Sequence, residues 1–165
     1  RRNRAFEALS GIDVQLKKRA DLIPNILTIA QKFMDHEKEL LTEVTALRAK
    51  VGADYDARDP GAVADHFGIA EALSSRMGQI MVAVEAYPEL KSDETMIEAQ
   101  RSYNEVEAQI SAARRFYNSA VSSLNNAVQI FPGSMIAQFA NVVAMPFYEA
   151  DEAARQPVNA GDYLK

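Results

Sequence analysis

IDVQLKKRADLIPNILTIAQKFMDHEKELLTEVTALRAKV, residues 12–51, is the stretch on which the fold turns. It opens as a polar amphipathic run, passes the basic cluster Lys17-Lys18-Arg19, and meets a corner at Asp21 to Pro24. From Ile26 a spacing of four and three selects Ile26, Ala30, Phe33, Glu37, Leu40, Val44, Leu47 and Val51. All but Glu37 are apolar, which is a heptad seam, and such a seam must bury itself against other helices.

The corner has two readings. Asp21 can cap a new helix with Pro24 in its first turn, where the missing N–H costs nothing. Alternatively one helix runs through and kinks at Pro24. Continuity is favoured by the seam, which extends backwards through Ile23, Arg19, Leu16, Ile12 and Leu9. Length favours a break, because a helix over 3–50 would be roughly 70 Å long and would outrun its neighbours. We take the break as the expectation, with a first helix over 3–20.

Outward from this stretch the punctuation is clear. Gly52, Asp54, Asp56, Asp59, Pro60 and Gly61 mark a connection. A helix over 62–86 follows, with Val63, Phe67, Ala70, Leu73, Met77 and Val84 on one face, and Tyr87-Pro88 ends it. Ser92 or Asp93 caps the last long helix, whose seam runs from Met96 through Tyr103, Ile110 and Tyr117 to Leu124, until Phe131-Pro132-Gly133 stops it. Residues 134–149 form an apolar segment expected to cover the helices of 1–133, and 150–165 a loose polar tail. That segment also carries Phe139, Phe147 and Tyr148, candidates for contact with a partner.

Composition sets the outer limits. A chain of 165 residues with 48% hydrophobic content is one domain with a real core. There is no cysteine, hence no disulfide or thiolate chemistry. A net charge of −5 argues against a general nucleic-acid binder. No run of about 18 apolar residues occurs, so the chain as given spans no membrane. It opens abruptly on Arg1-Arg2-Asn3-Arg4 without an initiator Met, as a fragment would. A basic cluster directly after a membrane helix belongs on the cytoplasmic side; a cleaved signal or lipid anchor would put the domain outside instead.

Several signatures share one pattern: IDVQLKKRADLIPNIL with His36-Glu37 and Leu47-Arg48, VEAYPELK (84–91), AARRFYNSAV (112–121), Phe131-Pro132 with Ile136-Ala137, and Pro146-Phe147-Tyr148-Glu149. In this order, over residues 1 to about 149, the chain resembles the LemA family. The resemblance implies an all-α, antiparallel up-and-down four-helix bundle behind a single N-terminal membrane anchor. It implies no reaction, because the family's molecular activity is not established. The connection 51–62 and the tail after Glu149 depart from the pattern.

Chemistry is thin. A di-iron bundle needs Glu-x-x-His pairs, but Phe33 and Val63 stand three residues before the two histidines. Glu37, a charge on the apolar seam, requires a partner such as Arg114 or Arg115. Asn25 and Asn118 are placed to bond across the helices, and Arg114 to meet Asp13 or Glu37. Asp21, Asn25, Glu37, Arg114 and Asn118 thus form a candidate structural polar network. No phosphate loop, dinucleotide fingerprint, zincin or nucleophile-elbow motif is present. The sequence reads as a non-enzymatic scaffold or adaptor at the bacterial cell envelope, needing no cofactor or metal and binding an unidentified protein partner. The alternative is a ligand-binding or enzymatic bundle with a polar core near Glu37 and Arg114. Homo-oligomerisation through the surplus length of the longest helix is a third idea.

Overall fold

The computed structural model describes residues 1–130 and 142–149, with Met135, Ile136 and Gln138 between them. The described residues are all-helical, with no strand. The helices are α1 (Arg2–Gln31), α2 (Lys38–Val51), α3 (Pro60–Val84), the single turn α4 (Pro88–Lys91) and α5 (Glu94–Gln129). Phe139 and the polar tail lie outside the described residues.

The expected break at Asp21–Pro24 is not there. α1 runs through Pro24 to Gln31, and the chain turns at 32–37 instead. Proline lacks the N–H that would bond the carbonyl four residues back, which leaves the Ala20 carbonyl without its helical donor. Arg48, near the end of α2, supplies one: its Nε donates to Ala20 O at 2.6 Å. One side chain from the next helix removes the penalty that would have ended this one. The true turn contains no Gly or Pro. Its Met34 is buried, and Phe33 is half-buried against the core. Packing places this turn, which is why no breaker marks it.

The heptad seam is therefore divided. Ile26 and Ala30 are buried on α1, Val44 and Val51 on α2, and Glu37 falls between the helices as the residue that starts α2. Aspartate caps fix the starts of α3 and α5. The Asp59 side chain accepts from Gly61 N with Pro60 as the first helical residue. Asp93 accepts from Thr95 N and Met96 N; the bond from the Thr95 hydroxyl, followed by these backbone bonds, holds its carboxyl below the usual range. α1 packs most extensively on α5, and α2 on α3. Ile12, Ile26, Ala30, Val44, Val63, Leu73, Met77, Ile80 and Met96 form the fully buried centre.

Candidate functional site

Three polar assemblies interrupt this core. The innermost is Arg19, 1% exposed. Its Nη1 donates to Glu107 Oε1 of α5 at 2.8 Å, and its Nη2 to the carbonyl of Ala70 on α3 at 2.9 Å. Burial alone would lower the guanidinium pKa, but the Glu107 carboxylate opposes this and holds it above its ordinary value. Tyr103 lies beside the pair, with burial and then Glu107 both pushing its phenol up. Arg19 Nε, Gln15 Oε1 and the Tyr103 hydroxyl are buried and have no hydrogen-bond partner among the described residues.

The second assembly lies at the rim. Asp13 on α1 meets His66 Nε2 at 2.9 Å through Oδ1 and accepts from the Tyr55 hydroxyl at 2.6 Å through Oδ2. The Tyr55 and His66 rings stack with centroids 4.0 Å apart. Burial, followed by the bond to Asp13, pushes the Tyr55 phenol up. A cavity of about 790 Å³ opens here, lined among others by Leu9, Asp13, Leu16, Lys17, Arg48, Tyr55 and His66. Its floor is apolar and its rim carries both signs of charge. Among the described residues no three His, Asp or Glu side chains converge as a metal would require.

The third assembly binds main chain. Asn125 Nδ2 donates to Met145 O at 3.0 Å, while its Oδ1 accepts from Met145 N at 2.9 Å. Asn118 makes the same pair of bonds, both at 2.8 Å, with Tyr148 O and N. Between them the Tyr117 hydroxyl donates to Pro146 O at 2.7 Å. Residues 142–149 are thereby strapped along α5, running opposite to it. The Tyr148 ring is 1% exposed, stacked on Phe67 with centroids 4.3 Å apart. Burial pushes its phenol up to about 12, with the Arg19 and Arg114 cations pulling against the shift.

Of the five residues proposed as one network, the structure brings no two into a hydrogen bond with each other. Glu37 accepts from the Tyr87 hydroxyl at 2.6 Å, not from an arginine. Arg114 lies 3.8 Å from Glu71 of α3 and reaches neither Asp13 nor Glu37. Asn118 binds the strap rather than Asn25, and Asp21 and Asn25 are exposed on α1. Of the partner-contact candidates, Phe147 is 46% exposed, whereas Tyr148 is turned inward. Arg19 stands in the basic cluster Lys17-Lys18-Arg19, and the signal for its burial is its place on the backward extension of the seam. The signal for Asn125 was its spacing of seven from Asn118, two helical turns along one face.

Comparison with known proteins covers all three assemblies. Residues 8–160 match the LemA family. The chain belongs to the LemA family. A curated relative, Protein LemA of Metamycoplasma hominis (strain ATCC 23114 / DSM 25592 / NBRC 14850 / NCTC 10111 / PG21), is 23% identical over 161 residues, covering 97% of this chain and 71% of the relative. The family match takes in Asp13, Arg19, both asparagines and the strap, so all three assemblies fall within the LemA region.

Proposed function

We propose that this chain is the helical domain of a non-enzymatic, membrane-anchored adaptor at the bacterial cell envelope, built as an up-and-down four-helix bundle. The bundle is supported by the order of cross-contacts. Arg48 reaches back to Ala20, Asp13 and Arg19 meet His66 and Ala70 in ascending order, and Arg4 and Arg19 meet Phe116 and Glu107 in descending order. An anchor ahead of Arg1, with the domain on the cytoplasmic side, would give the start of α1 a purpose. Arg1, Arg2 and Arg4 are exposed where a helix dipole disfavours cations, and an anionic lipid surface would offset that cost.

The observation that carries the adaptor reading is the outer face of the strap. Val143 is 48% exposed and Phe147 46%, and each borders a concavity. The one beside Phe147, about 490 Å³, is lined by Phe67, Gly68, Glu71, Ala72 and Arg76. The one beside Val143, about 430 Å³, is lined by Phe6, Pro60 and Met145. Both hollows have walls of mixed character, with Glu71 and Arg76 in the first and Arg2 and Arg58 in the second. An exposed apolar side chain beside a concavity with charged walls is what a protein partner uses as an anchor. Crosslinking and affinity capture of the full-length protein from membranes should yield a partner that Phe147→Asp or Val143→Asp loses while the helical CD spectrum persists. Capture unchanged by both variants, or full-length protein in the soluble fraction, would sink this reading.

The ligand-binding alternative finds no support at Glu37 and Arg114, whose side chains bond elsewhere. The cavity at Asp13 and Arg48 favours it at another place. A small molecule that raises Tm for the wild type and not for Asp13→Ala would establish it there.

A further inference from the structure

We propose that the cavity between α1, the end of α2 and the connection 52–59 is a binding site for a small zwitterion, a molecule whose ammonium and carboxylate stand about 10 Å apart on an apolar stem. The proposal rests on the ligand-binding reading at Asp13 and Arg48, which it makes specific, and is independent of the strap's outer face.

Arg48 is the end that takes the carboxylate. Its Nε donates to Ala20 O at 2.6 Å, which fixes the guanidinium plane, while its Nη groups make no hydrogen bond among the described residues. Nor does any ion pair among them involve Arg48 or Lys17. Both cations line the cavity. A guanidinium held at one edge presents its remaining donors in a fixed fork, the geometry that matches the two oxygens of a carboxylate.

Asp13 is the end that takes the ammonium. The Tyr55 hydroxyl and His66 Nε2 hold its two oxygens in place. A carboxylate has about four acceptor sites, so these two bonds leave capacity for a further donor. The Asp13 side chain is 38% exposed and lines the same cavity.

The two ends are a fixed distance apart. Arg48 is tied to α1 at Ala20, seven residues beyond Asp13, a rise of about 10.5 Å along the helix. Ala20, Val51 and Ala57 supply apolar wall, and the volume of about 790 Å³ is that of a small-molecule site. Charge decides against simpler ligands. Asp13, Asp21 and Asp54 stand against Lys17 and Arg48 around the rim. A lone anion therefore meets an excess of carboxylates, and a lone cation leaves the guanidinium fork unused. Two kinds of molecule share the required chemistry. Three residues of extended peptide with both ends free span about 10 Å, and ω-aminooctanoate has a similar reach.

The test titrates the full chain by calorimetry with ω-aminooctanoate and, separately, with the tripeptide Ala-Leu-Ala. Octanoate, octylamine and the tripeptide blocked at either end are the one-ended controls. At least one zwitterion should bind saturably, one to one, and about tenfold tighter than its controls, as one charge-assisted contact implies. Binding of ω-aminooctanoate alone assigns the site to ω-amino acids, and binding of the tripeptide alone assigns it to free peptide ends. In Asp13→Asn the zwitterion should bind no better than its anionic control. Arg48→Ala is made in the Pro24→Ala background, where the helix supplies Ala20 O with its own donor; there the zwitterion should bind no better than its cationic control. A merely structural role for either residue would weaken every probe alike. No saturable binding by any probe, equal affinity for zwitterion and one-ended control on the wild type, or selectivity unchanged in both variants would overturn the proposal. A different small molecule whose Tm rise is lost in Asp13→Ala would keep a ligand in the cavity while discarding the zwitterion. Neither result touches the Phe147-dependent capture, so the readings fail separately.

Discussion

Two polar ties join α1 to α3, six residues and about 9 Å apart on α1, in opposite surroundings. Arg19 is shut away from water and bonded to Ala70 O and Glu107, whereas Asp13, which holds His66, has a side chain 38% exposed. At the rim, water competes for every bond that Asp13 makes and salt screens its charge. Arg19 itself has neither relief: losing it removes the cationic partner of Glu107, whose carboxylate is 30% exposed and also accepts from Ser74, and a second donor from the Ala70 carbonyl inside α3. The inner tie is costly to break on one side, and the rim tie is adjustable.

Arg19→Ala should give the largest effect, a loss of about 3–5 kcal/mol in urea denaturation. The double variant Arg19→Met/Glu107→Leu should recover most of it, because removing both charges removes the uncompensated one. A double variant as unstable as the single would show that the bond to Ala70, not the charge pair, dominates.

Alkaline pH probes the same inner region through Tyr148. Its phenol is pushed up to about 12 in the folded chain, against about 10 when unfolded. The raised folded value means that this contribution is whole below pH 10 and is lost as pH rises from 10 to 12. The loss is about 2–3 kcal/mol for this group. Thermal melts across that window should fall, and Tyr148→Phe should flatten the fall. An equally steep fall in that variant would shift the cause to Tyr55, Tyr103 and Tyr117, whose phenols are also raised.

On the rim side, Arg48→Ala strips the Ala20 carbonyl of its donor and should cost about 1–3 kcal/mol. In a Pro24→Ala background the helix regains its own N–H, so the same change should cost less. Equal costs in the two backgrounds would break the link between the proline and the arginine.

Asp13→Asn should have the smallest effect, about 1 kcal/mol, reduced further in 1 M NaCl. The Arg19 variants should respond far less to salt. If both respond alike, the distinction between inner and rim ties fails.

The differences between what was readable and what was not follow the same division. Helical class, the connection before Pro60 and the Asp93 cap are local, because each depends on residues within a turn of one another. The turn at 32–37 is not local, since residues far along the chain hold it, among them Tyr87 on Glu37. Pro24 misled for the same reason: its remedy, Arg48, stands 24 positions away. Arg19 was half-legible, a cation on a core heptad position whose partner only the packing of α5 reveals. Asn118 stood out, but its use depends on where the strap returns.

Asn118 and Asn125 stand about 10.5 Å apart along α5, and the residues they hold, Tyr148 and Met145, about 10 Å apart along the strap. This matched spacing works as a vernier, and it limits how the sequence can vary in length. Inserting one residue between Met145 and Tyr148 would move the second grip by about 3.3 Å and drive the tyrosine out of its pocket. One residue inserted between Asn118 and Asn125 would rotate the second amide by about 100° around α5. Additions before Val142 or after Glu149 disturb neither graduation. The LemA chain should therefore tolerate fusion tags and loop grafts on either side of the strap, and reject insertions or deletions within either interval.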